Sequence, residues 1–251
     1  MRRVLALGAA CLAVIGLGAC GGHSGRPGLT ISAAASLKSA FTRYAQAFKA
    51  ADVRLSFAGS DVLAAQIEQG FRPDVFASAN MALPQKLYAR GLVSKPVAFA
   101  ANRLVLAVPA SSTKVKSVGD VERPGVSLGI GSPTVPIGSY TRTVLSRLGP
   151  RAQAQVLANV RSDEPDVSGI VGKLSQGALD AGFTYLTDVT ATHGALRAIA
   201  LPPNLQPTVA YGVAIVNGSS QRAQAQQFIA GLLRGSGERA LRSAGFLRPR
   251  G

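Results

Sequence analysis

Residues 31–41 read ISAAASLKSAF: an apolar run that stops in Ala33, Ala34 and Ala35, then Ser36, just where an amphipathic helix begins. Bulky side chains would fill the space in front of that helix. Its first backbone N–H groups have no intrahelical partner and carry the positive end of the helix dipole, so an open approach to them suits an anion. Outward from this junction, short apolar runs alternate with helix-like segments. LTISAA precedes a helix from Leu37 to Ala50, VRLSFAG precedes one from Asp61 to Gln69, and DVFASA precedes one from Leu83 to Arg90. That alternation predicts an α/β protein with a largely parallel sheet.

A second set follows the strand NRLVLAVPA, residues 102–110. It comprises GVSLGIGS, a helix from Ser139 to Leu148, the strand VLANVRS, a helix from Ser168 to Gln176, and AGFTYLT. After TVAYGVAIVNG come helices from Gln221 to Leu233 and from Gly237 to Ala244. The turn-rich stretch from Pro109 to Thr113 places a lobe boundary near Ala107, and Asn217 with Gly218 marks the return crossing. The expected division is 29–106 with 218–251 for one lobe and 107–217 for the other.

Four strand-to-helix junctions share one design. Ser36 follows the alanines; Ser60 stands as N-cap in FAGSDVLAAQIEQG, with Asp61 in the first turn and Gly70 at the end. Pro136, Ile137 and Gly138 turn the chain into a helix in VPIGSY, and Asp166, Val167 and Ser168 open another in EPDVSGIVGKL. Each alone is an ordinary cap. In open α/β sheets, however, the strand carboxyl ends lie along one edge, and ligands bind there.

The ends and the composition bound the rest. Arg2 and Arg3, an apolar run from Val4 to Leu17 and the small residues before Cys20 form an export signal over residues 1–19, too short for a membrane span. LGAC is similar to the lipobox of bacterial lipoproteins, which implies lipidation of Cys20 and an anchor at the outer face of a membrane. Residues 20–28 then form a Gly-rich tether. No cysteine follows Cys20, so the mature chain has neither an internal disulfide nor a thiolate metal site. After the signal, 25 Lys and Arg stand against 12 Asp and Glu, a net charge of +13. The basic residues are scattered singly among nine Phe and five Tyr, without a nucleic-acid motif, so anionic lipid or a small anion is the better partner.

Together AAASL with Ser36, FAGSDVLAAQIEQG with Ser60, PDVFASAN, VPIGSY, EPDVSGIVGKLSQGALDAGFTY with Tyr185 and the closing AGF resemble, in order and spacing, the molybdate-binding proteins of ABC importers, within the periplasmic-binding-protein superfamily. The match runs through residues 29–247. It implies the type II two-lobed α/β fold, two crossing strands, and closure of the lobes on one oxyanion, molybdate or tungstate, for delivery to a membrane permease by a monomeric receptor. It also implies the contacts: hydroxyl and amide of Ser36 and Ser60, the amides of Ile137 and Val167, and the phenol of Tyr185, with no direct metal ligand and no cofactor. Ile137 stands where the family often has Ala. Asp61 stands where many relatives have Ser or Thr, and reads as solvated. A cleft of donors alone suits fully deprotonated dianions; monohydrogen phosphate brings a proton that needs an acceptor, and leaving it unpaired costs on the order of 1 to 3 kcal/mol. Sulfate is the runner-up ligand, since only its shorter bonds distinguish it.

An enzyme would need a base or a metal. His193 lies in the loop-like TATHGAL, neither serine sits in a G-x-S-x-G elbow, and no HExxH or P-loop occurs, so a serine hydrolase is disfavoured. Tyr44, Tyr88, Tyr140 and Tyr211 are the residues a ferric-binding relative would use, but Tyr44 and Tyr88 lie at helical spacings that suit packing.

Overall fold

The computed structural model describes residues 25–249. The export signal and Cys20 lie outside that range. Strands β1 (Gly28–Ala34), β2 (Asp52–Ala58), β3 (Val75–Ser78) and β4 (Val97–Asn102) are followed by β5 (Leu104–Pro109), β6 (Leu128–Gly131), β7 (Val160–Glu164), β8 (Ala181–Tyr185), β9 (Leu196–Ala200) and β10 (Val209–Ile215). They form two five-stranded sheets, in the orders β2-β1-β3-β10-β4 and β7-β6-β8-β5-β9. Helices α1 (Lys38–Ala47), α2 (Ser60–Glu68) and α3 (Ala82–Ala89) belong to the first sheet; α4 (Pro136–Leu148), α5 (Pro150–Ala158), α6 (Val167–Ser175) and α7 (Leu186–Thr190) belong to the second. The chain ends in α8 (Arg222–Leu233) and α9 (Ser236–Ser243), which pack back on α1 and β10.

Each sheet is mixed rather than largely parallel. Strands β1, β2 and β3 run parallel, as do β6, β7 and β8, but β10 pairs antiparallel with β3 and β4, and β5 pairs antiparallel with β8 and β9. The antiparallel strands are those joined to the crossings. The chain passes between lobes at Arg103, the single residue between β4 and β5, and returns through residues 201–208. The expected boundaries at 106/107 and 217/218 are therefore displaced: β5 pairs in the second sheet and β10 in the first. Pro109–Thr113 and Asn217–Gly218 are turns at the far ends of those strands, where the chain meets water. The first crossing carries no turn chemistry, because Arg103 alone separates two strands, whereas the second, LPPNLQPT at 201–208, is turn-rich and partly exposed.

Two smaller readings also change. VLANV was expected to be strand, but Pro150 at the first helical position opens α5, which runs to Ala158, and β7 begins only at Val160. Strands β4 and β9 and helix α7 had no separate sequence signal. Packing in the first lobe centres on aromatic rings: Tyr44 and Phe228 lie 4.4 Å apart, Phe41 and Phe48 meet Phe228 edge-on, and the Tyr44 hydroxyl donates to the Phe228 carbonyl at 3.0 Å. Such ring pairs add about 0.5 to 1.5 kcal/mol each beyond the area they bury. They fix α1 against α8, and so fix the junction before α1. Among the described residues, no helix is long and apolar enough to cross a membrane.

Candidate functional site

Register brings the four junctions together. Ala34 of β1 lies opposite Ala58 of β2, so the two chains leave the sheet at one level, and Ser36 and Ser60 follow two residues later on each. In the second sheet Gly131 lies opposite Glu164, and α4 and α6 begin shortly beyond them. Tyr185 ends β8, which runs parallel to β6. Ser36, Ser60, Ile137, Val167 and Tyr185 all line one cavity, with Ala34, Ala35, Ala58, Gly59, Ala79, Val135, Pro136 and Asp166 completing its wall. The alanines and glycine of the first lobe leave the space open, as the run at 33–35 suggested. The room available to the centre of a water-sized atom is about 20 Å³.

The polar atoms around this cavity are arranged as donors. Ser60 is the first residue of α2 rather than its cap, which is Gly59, and its hydroxyl accepts from the Ala79 N–H at 3.1 Å. That bond uses one of the oxygen's two lone pairs and leaves the Ser60 proton for a ligand. Ser36 sits in a 3-10 turn, Ala35–Leu37, leading into α1, and its hydroxyl lies 2.9 Å from the Tyr211 hydroxyl. Val167 opens α6 behind Asp166, whose carboxylate is engaged at 2.7 Å by the Ser168 N–H, and Ile137 follows Pro136 in the first turn of α4. Neither Ile137 nor Val167 has an intrahelical partner for its amide at that position.

The Tyr185 ring is buried, and its hydroxyl has no hydrogen-bond partner among the described residues. Burial pushes its pKa well above the ordinary phenol value, and neighbouring Tyr211, Tyr140 and Asp188 push it the same way. It therefore stays protonated and can donate. An unpaired buried hydroxyl costs about 1 to 3 kcal/mol, which a ligand oxygen would relieve.

The turn before α4 depends on Gly138, where a Cβ would overlap the carbonyl oxygens of Gly131 and Ser132. Arg142 ties the same turn by donating to the Gly131 and Gly138 carbonyls at 2.9 and 3.2 Å. Ile137 fits despite its size because its Cγ2 packs where Gly131 lacks a side chain. Asp61 is not solvated as expected. It is half-buried, its Oδ2 accepts from Thr134 Oγ1 at 2.6 Å, and its Oδ1 is buried without a partner among the described residues. The lobes meet here: α2 comes from the first and Thr134 from the second, and a Cβ on Gly59 would overlap the Pro165 carbonyl.

The tyrosines weighed as iron ligands divide. Tyr140 and Tyr211 flank Tyr185 at ring distances of 6.4 and 5.8 Å, whereas Tyr44 packs with Phe228 and Tyr88 is exposed. Burial raises the Tyr140 phenol to about 12. No group of three or more His, Cys, Asp or Glu side chains suited to a metal occurs among the described residues. His193 is exposed in a turn with φ of 50° and shares a surface cavity with Ser36 and Asp188, but not with Ser60. Asp188 of α7 accepts from the Tyr185 N–H at 3.1 Å; desolvation raises its carboxyl to about 7, with the Asp166 charge adding to the rise.

Two lobes joined by two crossings, with helix-start amides from both turned to one cavity, define a solute-binding protein of the periplasmic-binding-protein type. Residues 29–247 match the bacterial extracellular solute-binding protein family, and the chain belongs to it. Relatives include the molybdate-binding protein ModA of Mycobacterium tuberculosis, 34% identical over 252 residues that cover 94% of each chain. The resemblance read from the motifs is thereby borne out. Among solved structures, the periplasmic molybdate-binding protein of Azotobacter vinelandii superposes with a TM-score of 0.78 at 22% identity, covering 88% of this chain and all of that one. The sulfate-binding protein SubI of Mycobacterium tuberculosis gives 0.77 at 18% identity, covering 88% and 86%. Scores this similar show the shared fold, and the ligand must be argued from the cavity.

Proposed function

We propose that this protein is an exported receptor that captures molybdate or tungstate between its lobes and hands it to an ABC importer. The observation that carries the reading is the Tyr185 hydroxyl, buried, protonated and without a hydrogen-bond partner among the described residues, at a cavity that helix-start amides and serine hydroxyls also line. Among the described residues no Lys or Arg lines the cavity, and the Asp166 carboxylate there has one oxygen engaged by its own helix. Donors without acceptors favour a fully deprotonated oxyanion over monohydrogen phosphate, by the cost of that ligand's unpaired proton. Molybdate and sulfate share charge and shape, and the names of the relatives favour molybdate.

Contacts from both lobes are complete only when the lobes meet, so a bound anion shifts the population toward the closed form that a permease can read. The net charge of +13 after the signal raises the capture rate through its long-range field. An acylated Cys20 would keep the receptor beside its importer, at the outer face of the membrane. A thermal-shift series tests the ligand: at about a hundred times its Kd, molybdate adds about 2.7 kcal/mol of stability and raises Tm by roughly 5 to 10 °C, and phosphate adds nothing. Equal shifts with phosphate and molybdate would remove the donor-only reading. For the anchor, loss of membrane association in a Cys20→Ser variant is expected, and unchanged association would count against lipidation.

A further inference from the structure

We propose that Tyr211 and Asn102 are positioning residues that force Ser36 to act as a donor, and so set which protonation state of an oxyanion the cleft accepts. The inference rests on the oxyanion reading above.

The relay begins at the first crossing. Asn102 is the last residue of β4, and its Oδ1 accepts from the Arg103 backbone N–H at 2.9 Å. A backbone N–H can only donate, so the amide group has one acceptable orientation: turned over, its NH2 would face another donor. The NH2 therefore points inward. It donates to Thr187 Oγ1 at 2.8 Å and to the Tyr211 hydroxyl at 3.5 Å. With its oxygen accepting from Asn102, Tyr211 places its own proton on Ser36 Oγ, 2.9 Å away. Ser36 Oγ then accepts from Tyr211, and its proton is directed to the cavity that Ser36 lines. The Ser36–Tyr211 pair alone has no fixed direction, since either oxygen can be the donor. Asn102 supplies the direction.

Burial makes this polarity consequential. Asn102, Tyr211 and Ser36 are all buried, Tyr211 completely. Reversing the chain would bring the Asn102 amide against a Tyr211 proton and leave a buried donor unpaired. Desolvation holds the Tyr211 phenol well above its ordinary value, so it does not escape by ionising. Ser60 reaches the same state more simply, through the Ala79 N–H on its oxygen. Each serine oxygen thus already accepts one hydrogen bond, one from a backbone amide and the other from a relay of two side chains, which leaves its proton for the cavity.

The test is calorimetric measurement of two affinities, for molybdate and for arsenate at mildly alkaline pH. Arsenate is then the monohydrogen dianion, which has the same charge and carries one proton. Tyr211→Phe keeps the ring that packs on Phe99, Tyr185 and Phe246, and releases Ser36 to donate or accept. The molybdate-to-arsenate affinity ratio is expected to fall by about threefold or more. Asn102→Asp replaces the NH2 with an acceptor, which draws the Tyr211 proton and turns Ser36 into an acceptor; the ratio should fall by about tenfold or more. The added negative charge repels both dianions alike and drops out of the ratio, and loss of packing alone would likewise leave it unmoved. If the wild type binds molybdate and a folded Tyr211→Phe variant keeps the ratio within about twofold, the relay is overturned and the oxyanion reading stands. If the wild type binds no molybdate, the oxyanion reading falls and the relay falls with it.

Discussion

Removing the Tyr185 hydroxyl should move stability and affinity in opposite directions. In Tyr185→Phe the ring keeps its contacts with Tyr140 and Tyr211, and only an oxygen without a hydrogen-bond partner is lost. In the ligand-free protein that oxygen is a buried liability of about 1 to 3 kcal/mol, part of which water entering the cavity relieves. The variant should therefore be as stable as the parent or more stable, by about 1 kcal/mol, which raises Tm by about 2 to 4 °C at this chain length. With molybdate bound, the same hydroxyl would donate to a charged oxygen, a bond of about 1.5 to 3 kcal/mol. Its loss weakens binding by roughly 10- to 150-fold. Thermal melts of the ligand-free variant, paired with calorimetric titration, read both quantities. A structural tyrosine would give the reverse pattern. A lower ligand-free Tm with unchanged molybdate affinity would refute the assignment of this hydroxyl to the ligand.

Three further outcomes follow from the same geometry. Ser60→Ala deletes a donor whose oxygen also holds the Ala79 N–H, so molybdate affinity should fall by at least about tenfold and stability by about 1 kcal/mol; no change in affinity would take Ser60 out of the site. Gly59→Ala places a methyl group where the Pro165 carbonyl of the other lobe sits. Because Gly59 has an ordinary φ of −57° and its one close contact within its own lobe is the movable Asp61 carboxylate, the first lobe is little strained by itself; the cleft should fail to close, with affinity falling more than about tenfold while the ligand-free Tm shifts by only a few degrees. Asp188, with its carboxyl raised to about 7, favours the folded state when neutral: that contribution is full below the unfolded carboxylate value of about 4 and is lost as pH rises through about 7. Asp188→Asn should consequently gain Tm relative to the parent on going from about pH 5 to about pH 8, and a difference that stays flat with pH would contradict the shift.

The junctions were legible because their information is local. Tiny residues, a cap or Pro-Gly turn, and a helical stripe all fall within a dozen positions, and parallel pairing then brings Ser36 beside Ser60 without further instruction. What escaped depends on residues far apart in the chain. Tyr211 reaches Ser36 across 175 positions, and Thr134 reaches Asp61 across 73, so neither pairing leaves a mark on its own stretch of sequence. The crossings escaped for a different reason. At the first crossing VAFAANRLVLAVP reads as nearly unbroken apolar chain, and a change of lobe at Arg103 leaves no turn signal because a single residue separates β4 from β5 while their sheet neighbours differ. In α5, the apolar VLA of its last turn outweighed Pro150 at its start, although Pro at a first helical position is a genuine start signal.

The most direct test of the account is calorimetric titration of the mature protein, without its lipid anchor, with molybdate and then with sulfate. The cavity predicts one molybdate per chain, bound tightly, and sulfate bound at least about tenfold more weakly, because an anion with shorter bonds cannot reach donors on both lobes at once. Equal affinities for the two would contradict selection by cavity size, and no heat with either would contradict the claim that Ser36, Ser60, Ile137, Val167 and Tyr185 form an oxyanion site.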